Sequence, residues 1–472
     1  MRKKKIQQQI GIQLSLFREQ VVSYRPNTST RSGTTKEYVG RTMFFSLLSR
    51  NRVLSENLLE RVLEPRNMNK AYKAVKSNGG KSGVDEMEVE ELGRWLQDNL
   101  EDLRVQILSE SYEPSSVLGI EIPKSSGGTR LLGIPTVLDR FIQQCIHQEL
   151  TLLYEPLFSE HSYGFRPNRS ALQAVSQASG YVSEGYEWVV DIDLKSFFDH
   201  IQHDRLMQRL HKGVGDKRLL RLIRKYLRAG MLKGGLVQQR TSGTPQGGPL
   251  SPLLSNIVLD ELDKELESRG HKFVRYADDC NIYVKSEAAG KRVLESITRF
   301  IEGKLKLLVN AQKSGVRHCS SVKFLGYTIM PGEGIRIADK SKQRFKKKIR
   351  KLTKRNRGVR FSTVIEEVNA ATRGWVQYFR LANCWLPWKE LDGWIRRRLR
   401  CYRLKQCKRK HTLFKFLRRL GASKHKAWNT VLYGGSWWPL SKRVVCQKGM
   451  NLKWFDKQGL ESLSYWYNRF NC

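Results

Sequence analysis

Phe273-Val274-Arg275-Tyr276-Ala277-Asp278-Asp279-Cys280-Asn281-Ile282-Tyr283-Val284 is a run of apolar and aromatic residues broken by two adjacent carboxylates. Its flanks have the composition of strands. An Asp-Asp pair suits neither a strand interior nor a helix interior, but it suits a tight hairpin turn, where short polar side chains tolerate unusual backbone angles. Like charges held together repel, so such a pair ordinarily persists because a cation sits beside it. A solvated surface turn is the competing reading, and the remainder of the chain decides between them.

Upstream, Trp188-Val189-Val190-Asp191-Ile192-Asp193-Leu194-Lys195-Ser196-Phe197-Phe198-Asp199 is an apolar strand that runs out into acids and aromatics. Asp191 and Asp193, two apart, share one side of that strand. Asp199 and His200 have the character of a cap for the following helix, a structural role. Between this strand and the Asp-Asp hairpin lies Gly243-Thr244-Pro245-Gln246-Gly247-Gly248-Pro249-Leu250-Ser251-Pro252, with three Gly and three Pro in ten residues. Such a loop is rigid yet lets a ligand approach its backbone, and the helix expected after it, over 253–266, favours anions at its start. After the hairpin come a helix near 291–308, the segment Asn310-Ala311-Gln312-Lys313, and a strand-like Val322-Lys323-Phe324-Leu325-Gly326-Tyr327. This order predicts an antiparallel sheet backed by helices, an α+β fold.

Nearer the N-terminus, helices are expected from Met43 through Val62, over 67–75, 89–100 and 138–153. Before the last of these, Ile120–Lys124 and Thr129–Pro135 form two short strands around Ser125-Ser126-Gly127-Gly128. Lys124 and Arg130 frame this turn, and the pair reads either as a grip for a triphosphate or as a solvated basic hairpin. Residues 1–42 are polar, basic and short of apolar anchors, as in a flexible extension ordered on a partner.

The chain carries a formal charge of +40, from 85 Lys and Arg against 45 Asp and Glu. The excess is concentrated: from Ser341 onward there are 34 Lys and Arg against 6 acids, a net of +28. A surplus on this scale points to a polyanion, and nucleic acid is favoured over an anionic membrane because no amphipathic anchor or lipidation signal stands out. Helices are expected over 344–354, 364–380, 391–410 and 413–420, and nine of the eleven Trp lie beyond residue 370. Interleaved basic and aromatic residues suit a helical nucleic-acid-binding module, with most of the tryptophans in its core. Arg344, Lys346, Lys347, Lys348, Arg396, Arg397 and Arg398 are candidate RNA contacts. The eight cysteines form no Cys-x-x-Cys pair and read as reduced structural thiols. No signal peptide or run of apolar residues long enough to span a bilayer is present, and a cytoplasmic location is expected.

Asp193 and the Asp278–Asp279 pair lie about 85 residues apart, so only folding can unite them. Three hard oxygen donors in one cleft, with the Leu194 backbone carbonyl as a further donor, suit Mg²⁺, which takes its other ligands from water and substrate phosphates. Two such ions beside a basic hairpin would serve nucleotidyl transfer.

From about Leu58 to near the C-terminus the sequence resembles the reverse transcriptases encoded in group II introns. The likeness is carried by Ile122-Pro123-Lys124 and Arg130-Leu131-Leu132-Gly133-Ile134-Pro135, Ser162-Tyr163-Gly164-Phe165-Arg166-Pro167, Val190-Asp191-Ile192-Asp193 through Phe198-Asp199, Thr244-Pro245-Gln246-Gly247-Gly248, Tyr276-Ala277-Asp278-Asp279 and Phe324-Leu325-Gly326-Tyr327. Arg373-Gly374-Trp375 with Tyr378-Phe379 resembles the maturase segment that follows the polymerase in these proteins. The resemblance implies a right-hand polymerase fold: a flexible basic extension over 1–42, fingers over 43–190, a palm over 191–336 whose 236–252 loop borders the fingers, a helical thumb and maturase domain over 337–412, and a basic nucleic-acid-binding region over 413–472.

It also implies roles. Asp193, Asp278 and Asp279 would be catalytic carboxylates holding two Mg²⁺ ions, with Mn²⁺ a possible substitute. Asp193 aligns rather than Asp191 because Phe198 then stands five residues on, where it would exclude a 2′-hydroxyl; a core residue before a helix cap is its alternative role. Lys124 and Arg130 would hold the triphosphate, Gln246 would line the nucleotide pocket, and Lys313 would face the pyrophosphate. Phe324, Leu325 and Gly326 resemble a primer grip. The implied partners are group II intron RNA, an RNA template with a DNA primer, target DNA and dNTPs, with no membrane. Many relatives end in a His/Cys-containing endonuclease; here Cys-x-x-Cys pairs are lacking, so no second-strand cleavage is expected. A splicing-only maturase, or a diversity-generating or phage-defence reverse transcriptase, is the alternative reading.

Overall fold

The computed structural model of the chain describes residues 57–123, 128–383, 385–433 and 435–471. The expected arm over 1–42, the start of the helix from Met43, and Lys124 lie outside the described residues. The chain divides into two units, both discontinuous in sequence: Met1–Ser170, Val190–Ile282 and Lys291–Gly315 form the first, and Ala171–Val189, Tyr283–Gly290 and Val316–Cys472 the second.

Helices α1 (Leu58–Val62), α2 (Pro65–Asn78) and α3 (Leu92–Leu108) come first. Pro65 starts α2, where its missing N–H is no loss, and Gly79 ends it at φ +60°. The helix expected over 89–100 begins three residues later and runs on to Leu108, carried by the buried Leu103 and Ile107. Strands β1 (Val117–Pro123) and β2 (Thr129–Ile134) pair antiparallel, with Ile122 opposite Arg130, as the expected hairpin requires. Helix α4 (Val137–Tyr154) is capped by Thr136, whose hydroxyl accepts from the Asp139 amide at 3.1 Å and donates to its carboxylate at 2.7 Å. The buried Asp139 also accepts from the Tyr112 hydroxyl, tying α4 to the segment that enters β1.

Then follow α5 (Ala171–Ser183), β3 (Trp188–Ile192), the short α6 (Phe197–His200), α7 (His203–Gly213), α8 (Lys217–Arg228), and the small strands β4 (Met231–Lys233) and β5 (Leu236–Gln238). Strands β2, β1, β4 and β5 form one sheet in that order. The expected cap at Asp199–His200 is corrected. Ser196 adopts a left-handed conformation at φ +45° and opens the brief α6, which contains Asp199; Ile201 is extended, and Gln202 precedes α7.

Helix α9 (Ser251–Ser268) is buried on several faces, which explains its Asn256 and Asp263. It leads into β6 (Lys272–Tyr276) and β7 (Asp279–Val284), joined at Ala277-Asp278, and then α10 (Glu287–Phe300). The helix expected over 291–308 starts earlier and ends in a widened π-helical turn over Ile301–Leu305. With β8 (Gly315–His318), a four-stranded sheet forms in the order β6-β7-β3-β8, so β3 lies beside β7.

Strands β9 (Tyr327–Met330) and β10 (Gly334–Ile337) are an antiparallel hairpin. Val322–Gly326, expected as a strand, is instead an extended entry and a tight turn: Phe324 and Tyr327 exchange both backbone hydrogen bonds across Leu325 and Gly326, at φ +48° and +88°. Beyond lie α11 (Asp339–Leu352), α12 (Phe361–Phe379), α13 (Trp385–Gln406), α14 (Lys410–Arg419), α15 (Lys424–Leu432), and short helices α16 (Trp437–Leu440), α17 (Val444–Gly449), α18 (Leu452–Lys457) and α19 (Leu463–Asn471). The expectation that most tryptophans are core needs correction. Trp388 and Trp466 are buried, but Trp375, Trp394, Trp437, Trp438 and Trp454 are half-buried. Guanidinium groups cover several of these rings, Arg397 lying 3.6 Å from the Trp438 centroid, so a basic surface and an aromatic layer share the same positions. The six described cysteines are free and buried, and burial pushes the Cys446 thiol up to about 12, as suits inert packing groups.

Candidate active site

In the Asp-Asp turn the unusual backbone angle falls on the residue before the acids and not on an aspartate. Ala277 sits in the left-handed region at φ +59°, and half-buried Asp278 and Asp279 follow at the head of β7. Asp193 lies just past the end of β3, the neighbouring strand. The Cys280 thiol, raised chiefly by burial, also feels the charges of Asp279 and Asp191, so these ends of β3 and β7 lie together. Folding thus brings the distant acidic segments onto adjacent strands of one sheet.

A clamp holds the backbone at Asp193. Its N–H donates to Ser314 Oγ at 2.9 Å, and its carbonyl accepts from the Asn310 amide at 2.8 Å and from Ser314 Oγ at 3.3 Å. Lys195 N–H donates to the Leu308 carbonyl at 2.8 Å, so the bridge between Leu194 and Val309 uses the carbonyls of residues 193 and 308 and leaves that of Leu194 outside it. The Lys313 ammonium stands 3.5 Å from Asp193 Oδ1. Among the described residues no three His, Cys, Asp or Glu side chains are drawn into one coordination sphere, and Asp193 leans on Lys313 instead. Asp193, Asp278 and Asp279 are half-buried and Leu194 is buried; their carboxylates and the Leu194 carbonyl are hard oxygen donors, a donor set that suits Mg²⁺.

Beneath the turn lies a network that sequence reasoning missed. Arg275, fully buried, donates from Nε to Asp263 Oδ1 at 2.6 Å and from Nη2 to Asp263 Oδ2 at 2.5 Å and Ser162 Oγ at 2.8 Å. Its Nη1 donates to Asn256 Oδ1 at 3.0 Å and to the Ala277 carbonyl at 2.9 Å. Burial works against the guanidinium charge, but Asp263 opposes that and holds it protonated, above its ordinary range. Asn256 Nδ2 donates to the Gly164 carbonyl at 2.9 Å, and a Cβ on Gly164 would collide with the Ala277 amide. The Ser162-Tyr163-Gly164 motif is therefore part of the turn's foundation. Proximity of Arg275 to the acids was the available signal.

The Gly- and Pro-rich loop is locked on both sides. Thr244 N–H donates to the Phe198 carbonyl at 2.8 Å, Gly243 N–H to that of Ile201 at 2.7 Å, and His203 Nε2 contacts the Gly243 carbonyl at 2.7 Å. Across from these, Gly133 N–H donates to the Gln246 carbonyl at 2.8 Å, and Gly247, at φ +135°, has no room for a Cβ against the Gly133 carbonyl. The structure thereby brings together Phe198, Gln246 and β2, the strand of Arg130. Phe197 is the buried core aromatic of its pair, while Phe198 is half-buried against it.

In the second unit the Phe324-Leu325-Gly326 turn is held by its carbonyls. Leu325 O accepts from the Tyr378 hydroxyl at 2.9 Å, and Gly326 O from Ala338 N–H and Ser341 Oγ, both at 3.0 Å. Arg344, Lys347 and Lys348 are exposed on α11 and Lys346 is half-buried. On α13, Arg397 and Arg398 make internal contacts, Arg397 with the Trp438 carbonyl at 3.2 Å and Arg398 with Thr353 Oγ1 at 3.0 Å.

Residues 122–329 match the family described as reverse transcriptase (RNA-dependent DNA polymerase), and residues 342–431 match the group II intron, maturase-specific domain. A polymerase domain of this class is thus followed by a maturase domain in one chain. Protein YkfC of Escherichia coli K12 is 31% identical over 316 residues, which cover 58% of this chain and 83% of that protein. The group II intron-encoded protein LtrA of Lactococcus lactis subsp. cremoris is 31% identical over 328 residues, 55% of this chain and 54% of LtrA. A putative COX1/OXI3 intron 2 protein of Saccharomyces cerevisiae is 32% identical over 289 residues, 49% of this chain but only 34% of that protein. Among solved structures, a partial Cas6-RT-Cas1–Cas2 complex aligns at TM-score 0.34 and 25% identity, covering 52% of this chain and 43% of that one. The chain belongs to the group II intron-encoded reverse transcriptase and maturase family. No described helix is long and apolar enough to cross a membrane.

Proposed function

We propose that this chain is an RNA-directed DNA polymerase that also binds its group II intron RNA as a maturase. The observation that supports the reading is that the clamped Asp193 segment and the Asp278–Asp279 turn belong to adjacent strands of one sheet. Asp193, Asp278, Asp279 and the Leu194 carbonyl would hold two Mg²⁺ ions, or Mn²⁺ in their place. Ions bound there supply activation of the primer hydroxyl and stabilisation of the departing pyrophosphate.

The chain's own residues do the rest. Lys313, already beside Asp193, supplies positive charge toward the pyrophosphate, and Lys124 and Arg130 grip the triphosphate from the β1–β2 hairpin. Phe198 and Gln246, tied to one locked loop, shape the sugar and base sides of the nucleotide pocket, with Phe198 disfavouring a 2′-hydroxyl. The Phe324–Gly326 turn steadies the primer end. Basic helices from α11 onward hold structured intron RNA and target DNA. Fingers, palm and thumb over 43–190, 191–336 and 337–412 describe this division of labour.

The test is primer extension on an RNA template with dNTPs and Mg²⁺, alongside intron-RNA binding. Wild-type protein is expected to extend, and Asp278→Ala to abolish extension while RNA binding persists. Wild-type protein that binds intron RNA but never extends would favour a splicing-only maturase.

A further inference from the structure

We propose that Arg275 is the positioning residue of the Asp278–Asp279 turn. By fixing the Ala277 carbonyl, its guanidinium sets the direction in which the two following carboxylates point. The inference rests on the polymerase reading of those carboxylates and extends it to a group that touches neither substrate nor metal.

Three observations carry it. First, all five N–H groups of Arg275 are matched to acceptors, drawn from α9 (Asp263, Asn256), from Ser162 and from the turn itself. Second, the bond to the turn falls on residue 277, a non-glycine at φ +59°, immediately before the peptide that carries Asp278. A left-handed alanine is held there against its own preference only by what surrounds it. Third, Gly164 is packed against the amide of the same residue, with no room for a Cβ, and its carbonyl is in turn held by Asn256. The amide and the carbonyl of residue 277 are thus both approached by groups that share the Asn256 side chain.

A purely structural role explains less. A buried ion pair adds little net stability over an apolar pair of similar volume, so strand packing alone does not call for an arginine here. What an apolar pair cannot supply is an N–H aimed at the 277 carbonyl. Lysine cannot supply it either while also paired to Asp263, because its ammonium is a compact point charge without the planar fork.

The test compares wild-type with Arg275→Lys in three measurements: thermal unfolding, Mn²⁺ titration by electron paramagnetic resonance without nucleotide, and single-nucleotide incorporation. Positioning predicts an unfolding temperature within a few degrees of wild-type, Mn²⁺ affinity weaker by about tenfold, and kcat lower by about 100-fold with KM for template–primer unchanged. Should Arg275→Lys fail to fold, Asn256→Ala, which removes one anchor of the guanidinium and the donor to Gly164, is measured for the same losses, each several-fold. A folded variant with wild-type Mn²⁺ affinity overturns the proposal. So does a variant whose Mn²⁺ affinity and RNA binding fall and whose KM rises in step with the drop in its unfolding temperature, or a wild-type chain that binds no Mn²⁺. If wild-type binds Mn²⁺ yet extends no primer, the polymerase reading falls, while the Mn²⁺ comparison still judges Arg275.

Discussion

At the scale of single residues, the candidate acids stand out in the sequence and the groups that hold their backbone do not. Asp278 and Asp279 announce themselves because two adjacent carboxylates inside an apolar run have no structural reason to be there. Ser314 and Asn310 carry no such signal: serine and asparagine in a loop read as turn residues, and only folding shows them bonded to the Asp193 backbone. Ser314→Ala removes both the acceptor of the Asp193 N–H and a donor to its carbonyl. We expect kcat to fall by about tenfold with unfolding little changed, measured by single-nucleotide incorporation; an unchanged kcat would remove Ser314 from the clamp's function. Arg275 reads as part of a strand, yet its charge inside an apolar run is the same kind of anomaly as the acids. His203 adds a pH dependence. Burial lowers its pKa below the ordinary 6.5, against the Gly243 carbonyl, which favours the charged ring, so the buried neutral imidazole contributes stability above that value and loses it as pH falls through the lower folded value. The unfolding temperature should therefore decline below about pH 6.5. His203→Gln should show a shallower decline, but not none, because His147 and His271 are shifted in the same direction.

Among elements, those with strong periodicity or punctuation followed the sequence closely, α4 and the β1–β2 hairpin above all. Elements whose ends are set by packing departed from it. The π-helical turn after α10 and the short α6 arise from local backbone choices that apolar spacing does not encode, and the Phe324–Gly326 turn has strand composition because both of its flanks are extended. Two substitutions test elements rather than residues. Gly247→Ala must displace either its own loop or β2, since its Cβ would meet the Gly133 carbonyl; dNTP kcat/KM should fall by at least about tenfold, and wild-type kinetics would show the loop to be slack. In the second unit, fully buried Trp388 packs 5.3 Å from the ring centroids of both Trp375 and Tyr467. Trp388→Ala should lower stability by about 3–5 kcal/mol, read from urea unfolding. A loss below about 1 kcal/mol would mean that these rings do not form a packed layer.

For the whole molecule, composition already named the partner class. The net +28 beyond residue 340 is spread over helices whose aromatic rings are themselves covered by guanidinium groups, so much of the basic surface is built into the packing. Binding to structured intron RNA should weaken steeply as salt rises, with log K falling linearly in log salt concentration; a flat response would contradict recognition through phosphates. Membership of the intron-encoded reverse transcriptase and maturase family agrees with that charge distribution and with the order of motifs along the chain. Asp193 and the Asp278–Asp279 turn are proposed to serve one divalent-ion site. The most direct test of that proposal is hydroxyl-radical cleavage of the backbone with Fe²⁺ in place of Mg²⁺. Wild-type protein should be cut near both residue 193 and residue 278, with Asp193→Asn or Asp278→Asn suppressing both cuts. Cutting at only one of the two positions, or independent loss of each cut, would contradict it.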